Sequence, residues 1–133
     1  MGRGSIIGSI CGILPGAGAA MASFMAYAVE RRISKHPERF GTGEIEGLTA
    51  PESANNATAQ AAFIPTLTLG IPGDAVMAVM IGALMIHGIT PGPTFIADNP
   101  TMFWSLVVSF LVGNAMLVCL LYTSPSPRDL STS

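Results

Sequence analysis

Long uncharged stretches alternate with a single polar loop along this chain. No charged residue occurs from Gly4 to Val29, from Ser53 to Gly73, from Ala75 to Ala97, or from Asn99 to Pro127. A helix needs about 20 apolar residues to cross a bilayer, so each stretch is long enough to cross or enter one. Nine of the fourteen charged residues fall between Glu30 and Glu52. Arg31, Arg32, Lys35 and Arg39 in that loop predict a cytoplasmic location, because short cytoplasmic loops are enriched in Lys and Arg. The turn Asp98-Asn99-Pro100 has neither and fits the external side. The pattern therefore divides into a first membrane segment at about 4–29, a cytoplasmic loop at 30–52, a broken region at 53–97 and a span at 102–121.

Within these blocks, prolines and glycines predict where helices stop. Gly4, Gly8, Gly12 and Gly16 recur every four residues and would line one smooth helix face suited to close packing. That helix should break at Leu14-Pro15-Gly16-Ala17-Gly18, and a second piece should run from about Ala19 to Ile33. This break also argues against reading the N-terminus as a signal peptide. Ser34 to Gly41 reads as a turn or short helix. Thr49-Ala-Pro-Glu52 has the form of a capping box, which predicts a helix from about Ala50 to Phe63. On that helix Glu52, Asn55, Asn56 and Gln60 form one polar stripe, and Ala54, Ala57 and Ala61 form a small-residue face.

Two prolines and two glycines between Ile64 and Gly73 predict non-helical backbone. Asp74 then reads as the N-cap of a helix over Ala75–His87, closed by Gly88. Thirteen residues give about 20 Å of helix, less than the roughly 30 Å hydrocarbon core. The region 53–97 is thus read as half-length helices joined by unwound backbone, with a further break at Pro91-Gly92-Pro93. Met102 to Tyr122 has no internal proline and is long enough to span.

Composition sharpens this picture. Of 133 residues, 50% are apolar and only 11% are charged, with a net charge of -2 and a mean hydropathy of +0.55. Those values exclude a disordered chain, a nucleic-acid binder with a basic face and an exposed coiled coil. The 15 glycines and 10 prolines are frequent for so apolar a chain. The expected fold class is an all-α integral membrane protein, a polytopic bundle with Pro-Gly-broken, discontinuous or re-entrant helices.

Unwound backbone at membrane depth is tolerated where it lines protein or a water-filled cavity. Helix N-termini there offer N–H groups to anions, and free carbonyls hold cations. The openings after Pro15-Gly16 and Pro72-Gly73, with Asn55, Asn56, Thr66 and Thr68 as neutral hydrogen-bonding groups, could hold a carboxylate without a buried arginine. Asp74 is read first as a cap. If it faces the site, its charge suits a coupling Na+ or proton. His87 reads as structural, and Arg31, Arg32 and Arg39 as topology determinants. Cys11 and Cys119 form no disulfide framework or zinc spacing. The sequence contains no phosphate-binding GxxxxGK[ST], no GxSxG or HExxH hydrolase motif and no metal-spaced cluster, so neither an enzyme, a metal nor an organic cofactor is expected.

Several motifs occur in one order: Gly12-Ile-Leu-Pro-Gly-Ala-Gly18, Tyr27-Ala-Val-Glu-Arg31, Ser34-Lys-His-Pro-Glu-Arg-Phe-Gly41, Glu44-Ile-Glu-Gly47, Ala50-Pro-Glu-Ser-Ala-Asn-Asn-Ala57, Ile64-Pro-Thr-Leu-Thr-Leu-Gly-Ile-Pro-Gly73 and His87-Gly-Ile-Thr-Pro-Gly-Pro93. This series, from about Gly4 to Phe103, resembles the large membrane subunit of the tripartite tricarboxylate transporter family. The resemblance implies a multi-pass permease of the bacterial inner membrane that takes up citrate or related carboxylates on an ion gradient. It implies two partners, a periplasmic solute-binding protein and a small membrane subunit. It also implies that the chain corresponds to part of the second half of a several-fold longer subunit. The carry-over lands on Pro15, Gly16, Gly18, Asn55, Asn56, Pro72 and Gly73.

Gln60 and Met77 depart from the family pattern, where a small residue or glycine and a threonine are expected. The Ser/Thr/Pro tail 122–133 leaves the pattern abruptly and reads as foreign sequence. Two other readings remain: a structural or assembly protein whose glycine faces and amide stripe only join helices, and an ion channel whose broken helices line a pore.

Overall fold

The computed structural model describes residues 2–124. All regular elements among them are helical: α1 (Gly2–Ile13), α2 (Gly18–Ile33), a 3-10 turn (Pro37–Arg39), α3 (Ile45–Ala61), α4 (Phe63–Leu69), α5 (Ala75–Ile86), α6 (Phe95–Asp98) and α7 (Pro100–Thr123). The chain divides into two compact units, Met1–Phe95 and Ile96–Ser133.

The first unit is organised by small residues. α1, α2 and α3 pack on one another, and Cys11, Ala22, Ala26 and Ala54 form the centre. A Cβ added to Gly4 would meet the Ala50 carbonyl, one on Gly8 would meet Ala54, and one on Gly12 would lie 2.6 Å from the Thr58 oxygen. The glycine repeat therefore brings two helix backbones into contact. Buried Thr58 fixes the register by donating its hydroxyl to Gly8 O at 2.9 Å or, within its own helix, to Ala54 O at 2.7 Å. The buried face of α3 is Ala50, Ala54, Thr58 and Ala61. Ala57, expected on that face, is only half-buried, and Thr58 takes its place. Gly16 lies past the end of α1 and takes no part in the packing.

Large apolar side chains are on the outside. Ile6, Ile10, Met21, Phe24, Val76 and Ile86 are all exposed. A water-soluble bundle buries such residues and shows polar ones; here the size order is reversed, as in helix pairs that associate through small residues in lipid.

Two expectations need correction. α3 begins at Ile45 with Glu44 as its N-cap, so the Thr49–Glu52 segment is not its start and Pro51 lies inside the helix. Pro51 removes the bond to the Gly47 carbonyl, but Ala50 and Ala54 on either side are held against α1, and this tertiary packing carries the helix through. The 64–73 segment is not wholly unwound, since α4 covers Phe63–Leu69. Pro65 falls in the first turn, where helix N–H groups have no intrahelical acceptor. Gly70 then ends α4 at φ 68°, a left-handed cap that an L side chain rarely adopts. The uncharged 4–29 stretch folds as α1 and α2, about 18 and 24 Å long, broken at Leu14–Ala17.

Other elements match their expected positions closely. Asp74 caps α5, its Oδ1 accepting from Met77 N–H at 2.9 Å. The loop after α2 folds back, with Phe40 buried and set edge-on to Tyr27 at 5.5 Å. The Ser34 hydroxyl donates to Glu46 at 2.5 Å. Buried Glu30 pairs with Arg3 at 3.2 Å, tying the start of α1 to the end of α2.

In the second unit, α7 starts with Pro100 at its first turn. Its 24 residues rise about 36 Å, and it is the one helix among the described residues long and apolar enough to cross a membrane. Tyr122 and Thr123 complete its last turn. The rest of the tail expected to be foreign, from residue 125 onward, lies outside the described residues.

Candidate functional site

The two Pro-Gly breaks meet. Gly16 N–H donates to Gly73 O at 3.1 Å, across 57 residues of chain. Gly16 sits at φ 86°, a conformation that frees its N–H to point away from α1. Gly73 is buried. A Cβ there would lie 3.4 Å from Ala62 Cβ and 4.0 Å from Gly12 O, so the second break is seated between the ends of α1 and α3. Pro15 and Pro72 are exposed beside this junction, and Gly18, half-buried, opens α2.

The two helices that leave the junction differ at their starts. α5 is capped by Asp74. α2 follows Ala17, which offers no side-chain cap. The first-turn N–H groups of α2 therefore carry the partial positive charge of an uncapped helix end.

Thr66 is fully buried and donates to Ala62 O at 2.6 Å; its oxygen lies 3.5 Å from Ile71 O. Thr68 donates to Ile64 O at 2.7 Å. Both hydroxyls have given their protons to their own helix and keep only lone pairs for a ligand.

The amide stripe lies elsewhere on α3. Asn56 Nδ2 donates to Glu52 O at 3.0 Å. With Glu52, Gln60, Thr49, Ser53, Ala57 and Ser5 it lines an open groove of about 440 Å³. Asn55 is exposed and not part of that lining, because one residue turns about 100° around the helix. Asn56 lies six residues before Ala62, about 9 Å of helix rise from the junction.

Sequence reasoning missed Ser5, Thr49 and Ser53. The last two were accessible to it, since 49, 52, 53, 56 and 60 share one helical face; Ser5 joins only through α1–α3 packing. Among the described residues no group of three or more His, Cys, Asp or Glu could hold a metal ion.

The model of the tripartite tricarboxylate transporter TctA family matches residues 1–125. The chain belongs to the TctA family. Two curated relatives come from Agrobacterium vitis. An uncharacterized 52.8 kDa protein in the TAR-I ttuC' 3' region is 56% identical over 118 residues, covering 89% of this chain and 24% of the relative. An uncharacterized protein in the TAR-II ttuC' 3' region is 54% identical over 113 residues, covering 85% of this chain and 47% of the relative. The chain thus spans about a quarter and about half of the length of these relatives. No solved structure matches it.

Proposed function

We propose that this TctA-family chain works within the permease subunit of a binding-protein-dependent tripartite transporter. Its substrates are tricarboxylates such as citrate or related carboxylates, taken up on a Na+ or proton gradient. The observation that carries this reading is the junction of the two Pro-Gly breaks, held by the Gly16–Gly73 bond, at the uncapped start of α2. Such an end attracts an anion. A transport family agrees with a chemistry of binding and release rather than catalysis.

In this reading the carboxylate meets Pro15, Gly16, Gly18, Pro72 and Gly73, with the Asn55-Asn56 segment contributing amides. Asp74 serves the coupling cation. Only Oδ1 carries the capping bond, and Oδ2 has lone pairs to offer. Thr66 and Thr68, which present lone pairs only, suit the cation better than the carboxylate. Outward-facing large side chains on the first unit and the length of α7 support a multi-pass protein of the bacterial inner membrane. The partners are a periplasmic solute-binding protein and a small membrane subunit.

The glycine face gives the assembly reading its best support, because it does pack helices. Uptake of labelled citrate separates the two readings. An intact transporter carrying this segment, with its binding protein and small subunit, is expected to accumulate citrate and to stop when ionophores collapse the gradient. Asn56→Ala is expected to lower uptake or apparent affinity about tenfold, the loss of one charge-assisted hydrogen bond, at near-normal membrane abundance. Wild-type uptake by Asn56→Ala removes Asn56 from the site. Loss of membrane abundance with uptake per molecule intact favours assembly, and conduction without the binding protein favours a channel.

A further inference from the structure

Charge at the C-terminal end of α2 is used neither by the fold nor by the proposed transport site. Arg31 and Arg32 lie in the last turn of α2, Lys35 and Arg39 follow, and all four are exposed. Three nearby acidic groups are engaged elsewhere, and Glu44, half-buried at the start of α3, pairs with none of these cations. Glu30 pairs with Arg3 at 3.2 Å, Glu38 with His36 at 3.4 Å, and Glu46 accepts from Ser34. Among the described residues the four cations form no ion pair. A helix C-terminus favours basic residues, but that preference requires neither a cleft nor exposed apolar neighbours, and both are present. Tyr27, Ala28, Arg31, Arg32 and Pro37 line a cleft of about 400 Å³. Ile33, Ile45 and Leu48 are more than half exposed in the same region. The loop is held in shape by Phe40 against Tyr27 and by the Ser34–Glu46 bond.

We propose that this face binds the headgroup phosphate of an anionic phospholipid in the cytoplasmic leaflet. Arg31 and Arg32 line the headgroup cleft, where guanidinium groups match phosphate oxygens. Lys35 and Arg39 add to the local field, and Ile33, Ile45 and Leu48 enter the acyl boundary. The inference rests on the membrane reading above and is independent of what is transported. Each basic residue at an anionic surface raises local lipid affinity about fivefold.

The test uses the full chain in nanodiscs of equimolar phosphatidylglycerol and phosphatidylcholine, with retained lipids counted by native mass spectrometry. Phosphatidylglycerol is expected to be retained in excess. The double variant R31Q/R32Q is expected to lose that excess by about tenfold or more, with helicity unchanged by circular dichroism, while R31K/R32K keeps most of it. Equal retention of the two lipids by the wild type, or an unchanged preference in R31Q/R32Q, overturns the proposal. So does loss of the excess in millimolar inorganic phosphate, which would make the cleft a free-phosphate site. A chain that never enters the bilayer overturns the membrane reading itself.

Discussion

Replacing Gly8 by isoleucine is expected to take apart the three-helix core. The first added carbon would lie 2.7 Å from Ala54 Cα and 2.8 Å from its carbonyl carbon. These are backbone atoms and cannot rotate aside, so α1 must move off α3. The movement also separates Gly4 from Ala50 and Gly12 from Thr58, and it breaks the Thr58 hydroxyl contact to Gly8 O. Overpacking alone costs about 1–3 kcal/mol, while the Thr58 hydroxyl keeps Ala54 O as its acceptor. The variant should unfold many degrees below wild type in detergent, followed by circular dichroism. Ser9→Ile is the matched control. Ser9 is exposed on the same helix and bonds only to Ser5 O in its own turn, so its melting temperature should stay within a few degrees of wild type. Equal melting of both variants would show that the Gly8 contact does not hold the bundle.

Gly16→Pro is the second large effect, and it acts on transport rather than on packing. Proline removes the N–H that Gly73 O accepts and fixes φ near −65°, whereas Gly16 stands at 86°. Such a change where the native backbone is incompatible costs more than the usual 1 kcal/mol. The two breaks should separate while Gly4, Gly8 and Gly12 keep α1 on α3. The expected result is uptake reduced at least a hundredfold with normal membrane abundance and a melting temperature lowered by only several degrees, well short of the Gly8→Ile loss. Gly16→Ala keeps the N–H and meets only the left-handed strain of about 1–2 kcal/mol, so it should retain part of the activity. Full uptake by Gly16→Pro would mean that the junction does not govern transport.

Local signals made much of this fold legible. The Pro15-Gly16 break and the Asp74 cap each follow from the backbone chemistry of one or two residues. The glycine repeat also announced a packing face. Its partner did not announce itself, because Thr58 looks like a poor core residue until Gly8 O is seen to accept its hydroxyl. Proline was the chief source of error. Pro51 and Pro65 were both read as stops or starts, yet tertiary packing carries α3 through one and the first turn of α4 absorbs the other. The meeting of Gly16 and Gly73 lay beyond sequence reasoning, since a single backbone hydrogen bond between distant loops leaves no side-chain signature. The same holds for the uncapped start of α2, which matters only because of what stands opposite it.

In the proposed function the carboxylate binds at the junction of the two Pro-Gly breaks. Protection of single cysteines tests it most directly. Ala17→Cys and Pro72→Cys would be placed one at a time in an intact transporter with Cys11 and Cys119 replaced by alanine, and their labelling by a membrane-permeant thiol reagent timed with and without citrate. Citrate is predicted to slow labelling at both junction positions and to leave Ser109→Cys, exposed on α7, unchanged. Equal rates at the junction with saturating citrate, in a transporter that still takes up citrate, would mean that the carboxylate binds elsewhere.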